Sequence, residues 1–191
     1  MLNKSFQKAL LKEYQDRQQE RHKLIAVAND ALRQAKQAIF SIHRQDTGVA
    51  RKTLDIVNKT FVQLQKTTLK SNPELAQQGA YLASVEEYLE AELFYQAVLG
   101  QPIAAIKNLN VGVDQYIGAL SDMTGELTRQ AVLRATDKDY ETVKRYTEIV
   151  EEVIGALIQF DLVSHLRQKY DDAKRNLKRL EGIQYDISLR D

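Results

Sequence analysis

The chain has 191 residues, 28% of them charged, with 8 Gly, 2 Pro, no Cys and a formal net charge of +1. That length suits one domain with a sizeable core, and so few turn-forming residues point to long helices. The lack of Cys excludes disulfides, thiolate zinc sites and cysteine nucleophiles, which fits a reducing, cytoplasmic setting. No apolar run approaches the roughly 20 residues of a membrane span, and residues 1–11 lack the apolar core of a signal peptide.

The near-neutral total conceals an asymmetry. Residues 1–70 carry 14 Lys+Arg against 6 Asp+Glu (+8), residues 71–164 carry 6 against 15 (−9), and residues 165–191 carry 7 against 5 (+2). A basic first third beside an acidic middle suits a polyanion approaching a carboxylate-rich centre. Neutralisation of one region by the other inside one fold accounts for the pattern equally well.

Between Asn3 and Arg44 there is neither Pro nor Gly, and Leu10, Tyr14, Leu24, Val27, Ala31, Ala35 and Ile39 recur at helical spacing. The pattern predicts a first helix that reaches beyond one small globule. Residues 45–48 form a turn, with Asp46 or Thr47 as the next cap. A second helix runs to about residue 70 on Leu54, Val57, Phe61 and Leu64. Pro73 belongs in the first turn of a third helix capped by Asn72, which stops near Gly100. A fourth helix, 111–135, turns Tyr116, Leu120, Met123, Leu127 and Ala131 inward. A fifth covers 140–160, and after a break capped by Asp161 or Ser164 a last one covers 165–185. Nothing signals a strand, a Gly-rich phosphate loop or an internal repeat. The expected fold class is all-α, a six- or seven-helix bundle in a single domain, 1–191.

Two stripes stand out. On the third helix Ala80, Ala83, Glu87, Glu90, Phe94 and Val98 share one face; on the fourth, Ala119, Asp122, Glu126 and Leu133 do. Carboxylates embedded in apolar stripes carry a desolvation cost and repel one another, and a hard divalent cation relieves both. Against this, Glu-x-x-Glu is common on solvated helix faces. Glu86, Glu87 and Glu90 also satisfy the Glu-Glu-x-x-Glu of all-α nucleotide pyrophosphatases, but the matching Glu-x-x-Asp is missing because Ala119 precedes Asp122 at that spacing. No His follows a Glu as a ferritin-like di-iron site requires.

Several segments together resemble the translin family. Lys169-Tyr170-Asp171-Asp172 and residues 180–190, Leu-Glu-Gly-Ile-Gln-Tyr-Asp-Ile-Ser-Leu-Arg, are similar to its closing segment. Residues 122–129, Asp-Met-Thr-Gly-Glu-Leu-Thr-Arg, and residues 87–91, Glu-Tyr-Leu-Glu-Ala, resemble its translin-associated factor X branch, as do Arg21-His22-Lys23 and residues 39–44. The resemblance implies an all-helical protomer assembling into a hollow homo-oligomer, an octamer, that binds single-stranded RNA and DNA. It further implies endoribonuclease activity with Mg²⁺, or Mn²⁺ in its place, on Glu87, Glu90 and Asp122, with Glu126 as fourth ligand or water-orienting group. The alternative is a non-catalytic single-stranded nucleic-acid-binding protein. The Arg and His cluster that translin carries before the third helix is absent (residues 78–83), and the insert of the factor X branch shrinks to residues 100–110. A compact chain of this kind looks like the single-component prokaryotic branch. For strand contact, Arg33, Lys36, His43 and Arg44 line up beside Phe40 at helical spacing; a solvated basic face with Phe40 and His43 turned into the core is the competing reading.

Overall fold

Asn3 sets the start of the longest element: its side chain accepts from the backbone N–H groups of Ser5 and Phe6, and α1 then runs Lys4–His43. The computed structural model describes residues 2–189; Met1, Asp191 and Arg190, the last residue of the C-terminal motif, lie outside the described residues. Asp46 caps α2 (Thr47–Lys66) through the Val49 N–H. A single helical turn, α3 (Thr68–Ser71), and a 3₁₀ turn, Pro73–Gln77, lead to α4 (Gly79–Val98). After α5 (Val113–Thr136), Asp139 caps α6 (Tyr140–Leu157), and α7 (Ser164–Ser188) closes the described chain. There is no strand among the described residues, and no helix there is long and apolar enough to cross a membrane.

Four boundaries differ from expectation: the second helix, expected to reach about residue 70, ends at Lys66 because the backbone leaves the helical region at Thr67. Pro73 does not open the third long helix: Asn72 turns its amide back onto the Thr68 carbonyl instead of capping. The 3₁₀ turn tucks Leu75 into the core, and α4 starts six residues after Pro73. The helix expected to reach residue 160 ends at Leu157. Neither Asp161 nor Ser164 caps α7, whose N-cap is Val163 in extended conformation without a side-chain bond.

Cross-links between helices fix their directions. Arg21 Nε donates to Gln78 Oε1 at 2.8 Å and Lys36 reaches Glu87, so α1 and α4 run the same way. Glu86 lies against Gly118, and Lys169 pairs with Asp122, which continues the row through α5 and α7. These four helices pack side by side in the order α1, α4, α5, α7. The antiparallel helices brace them, α2 across α1 and α4, α6 across α5 and α7. Buried Ala28, Ala31, Ala35 and Ala38 allow α1 to approach α4 closely. Gly100 makes the exit from α4 with φ of 67°, a conformation that disfavours any residue with a Cβ.

The two faces of α4 have separate duties. Tyr88 and Glu92 face α2, where Arg51 holds the buried Glu92 carboxylate through two bonds of 2.6 and 2.9 Å. Tyr88 donates to the same carboxylate at 2.8 Å and accepts from Asn58 at 2.9 Å. The deepest acid among the described residues is therefore fully engaged in architecture. Glu87 and Glu90 lie on the opposite face. The amino-terminal part of α1, by contrast, touches little: every residue from Lys4 to Arg17 is exposed, including Phe6, Leu10, Leu11 and Tyr14. Of the expected inward positions, Leu10, Tyr14 and Val27 are exposed, while Leu24, Ala31, Ala35 and Ile39 are buried.

Candidate metal centre and nucleic-acid interface

Because α4 and α5 run in parallel, equivalent turns of the two helices stay abreast, and Glu87 and Glu90 of α4 meet Asp122 and Glu126 of α5. All four are partly buried. Three of them are partnered, each by a base from an outer helix of the row. Lys36 Nζ of α1 stands 3.7 Å from Glu87. His43 of α1 meets Glu126 through Nε2, with Nδ1 2.9 Å from Gln130 Oε1 and the ring 5.0 Å from that of Phe94. Lys169 of α7 pairs with Asp122 and, at 2.9 Å, with Glu86. Among the described residues Glu90 alone of the four has no ion pair.

The electrostatic consequence falls on Glu90. Burial first, then the charges of Asp122, Glu87 and Glu126, push its carboxyl up to about 9, against a lowering pull from Lys169. Burial also raises Glu87, with Lys36 opposing and Asp122 and Glu126 adding to the rise. With all four carboxylates ionised, the site would hold more negative charge than its bases neutralise. An all-oxygen donor set with a charge deficit suits a hard divalent cation. As the side chains are turned here, no three His, Asp or Glu residues among the described ones form a group able to hold an ion. Holding an ion there would require carboxylates to swing away from their present bases.

Of the residues expected to contact a strand, Arg33, Lys36 and Arg44 are exposed on α1, with Arg33 bonded to Asp30 and Arg44 lying 5.7 Å over the exposed Phe40 ring. His43 does not belong to that face. It is buried, because α5 supplies Glu126 and Gln130 to both ring nitrogens. Lys36 looks toward Glu87 and so connects the exposed face to the carboxylates. Lys169 and Glu86 did not emerge from the sequence as members of the centre. No local spacing reveals them, since Lys169 lies 47 positions from Asp122. A recess of about 570 Å³ lies elsewhere, between Gln65, Tyr81, Val85 and Gln115.

A family model, that of the Translin family, matches residues 19–191. The chain belongs to the translin family. An uncharacterized protein of Methanocaldococcus jannaschii is 26% identical over 85% of this chain and 73% of its own length. Translin of Gallus gallus is 28% identical over 60% of this chain and 52% of its own, so the match spans about half of that translin. Among solved structures, an AfC3PO–duplex RNA complex superposes with a TM-score of 0.83 at 23% identity, covering 96% of each chain. The helical row is therefore a translin-family fold.

The raised Glu90 carboxyl predicts how the metal-free protein responds to pH. A carboxyl near 4.5 when unfolded and about 9 when folded keeps its proton in the native state while the unfolded chain has released it. Its contribution is complete below the lower value and is lost as pH rises toward the upper one. The thermal midpoint should fall between about pH 6 and pH 9, and Glu90→Gln should flatten that fall and raise the midpoint at the alkaline end. A variant with the parent's slope would refute this account of the cluster.

Proposed function

We propose that this translin-family protein binds RNA and cuts it endonucleolytically, using Mg²⁺ or Mn²⁺ held by Glu87, Glu90, Asp122 and Glu126. The observation that carries the reading is the unbalanced carboxylate cluster: four acids brought together by two parallel helices, with Glu90 lacking an ion pair. A bound ion supplies charge neutralisation at the scissile phosphate and acidification of a water. Glu126, steadied by His43 and 3.9 Å from Arg129, orients the attacking water. Arg33, Lys36 and Arg44 hold phosphates along α1, and Phe40 offers a stacking surface for a base. Duplex RNA in complex with AfC3PO, a protein of the same fold, supports RNA as the ligand class. Single strands, RNA or DNA, are the proposed substrate form, since their bases are free to stack.

The exposed apolar residues of the α1 arm support the further proposal of a homo-oligomeric shell of eight subunits in the cytoplasm, with the carboxylates facing its interior. A second reading, RNA binding without catalysis, draws on the bases that already occupy three of the four carboxylates.

Asp122→Asn separates the two readings. Lys169 keeps its bond to Glu86 in this variant, so the metal-free protein should melt close to the parent while Mg²⁺-dependent cleavage of labelled RNA disappears. Cleavage that survives would remove Asp122 from the centre. Arg33→Ala with Arg44→Ala should weaken single-strand binding and reduce the salt slope by up to about two charges; an unchanged slope would return that face to ordinary solvation. For assembly, light scattering should report about eight times the 21.8 kDa protomer, and a monomer at micromolar concentration would exclude the shell.

A further inference from the structure

Lys169 is built into the carboxylate centre more firmly than a surface lysine. Its ammonium sits between Asp122 of α5 and Glu86 of α4, and all three side chains are partly buried, with 25%, 32% and 20% of their surface exposed in that order. Gly118 makes the arrangement fit: a Cβ there would stand 2.5 Å from Glu86 Oε2, so the bare surface of α5 is what admits the Glu86 carboxylate. Glu86 in turn anchors Lys169 against Asp122. The three bases of the centre differ in this respect. His43 is locked between Glu126 and Gln130, whereas Lys36 is largely exposed and only 3.7 Å from its partner. Lys169 alone of the three is tethered by a second carboxylate, Glu86, outside the four candidate ligands.

The Lys169 ammonium occupies Asp122 Oδ2, so a hard cation that took both oxygens of that carboxylate would have to displace it. We propose that Lys169 is the resident counter-ion of the centre, holding Asp122 until a divalent cation displaces it, whereupon the freed ammonium takes a phosphate of the bound RNA. Lys169 is thus a positioning residue that couples metal binding to strand binding. Removing the lysine removes the competitor, so metal should bind more tightly and strand binding should lose its dependence on metal. The inference rests on the metal reading given above.

The test uses the full chain with Mn²⁺ alone, followed by calorimetry, and with a short single-stranded phosphorothioate RNA, followed by fluorescence anisotropy. Lys169→Met should raise Mn²⁺ affinity about fivefold or more and abolish most of the tightening that Mn²⁺ gives to RNA binding by the parent. Lys169→Gln, which retains hydrogen bonding without the charge, repeats the measurement if the Met variant loses helicity. Lys36→Met controls for general electrostatics and should change Mn²⁺ affinity less. Unchanged or weaker Mn²⁺ binding by the Lys169 variants, or an equal gain in Lys36→Met, would overturn the role of Lys169 while leaving the metal centre standing. A parent that takes up no Mn²⁺ would overturn both.

Discussion

Parallel packing of α4 against α5 is the constraint from which the centre follows. Two helices running the same way keep equivalent turns abreast, and here those turns carry acids. Glu86 seats against Gly118, and the buried Met123 and Leu127 anchor α5 in the core, which opposes relief by sliding. Relief comes sideways, from bases on the two outer helices of the row. Among the described residues Glu90 is left without a base, and burial first, then the neighbouring acids, raise its carboxyl far above the usual range.

Glu92 shows that burial by itself does not make an acid functional. It is more buried than any acid of the cluster, yet Arg51 grips it with two bonds, Tyr88 adds a third, and Asp55 shares the guanidinium. Truncating one partner of such a pair costs roughly 3–5 kcal/mol, which marks it as architecture. Two turns of one helix thus carry acids of opposite character, separated only by the face from which they project. The fully compensated face joins α4 to α2; the other leaves Glu90 without an ion pair among the described residues.

Features that depend on local spacing were legible in the sequence. The long first helix, the Asp46 cap and the helical class follow from propensity and the scarcity of breakers. The i, i+3 spacing placed Glu87 with Glu90 on one face, and the i, i+4 spacing placed Asp122 with Glu126 on another. Features that depend on distant partners were not legible. Spacing leaves His43 open between a strand-facing position beside Arg44 and a place in the core, and only α5, with Gln130 87 positions away, decides for the core. Lys169 stands out only as part of the closing-segment resemblance, with nothing to tie it to Asp122, 47 positions away. At Pro73 the local rule was outweighed by the burial of Leu75, which draws the segment into a 3₁₀ turn.

The overhanging start of α1 has a consequence for how order is distributed along a single helix. Its nucleation is borne by the docked half, beyond Leu24, where four buried alanines seat it on α4. From Lys4 to Arg17 the helix gains only propagation, and each added residue is close to neutral in free energy without packing. In a lone protomer, opening there starts near Phe6 and leaves the bundle intact. Backbone amides along α1 therefore span a gradient of hydrogen exchange, from rapid local fraying near Phe6 to protection set by global unfolding near Ile42.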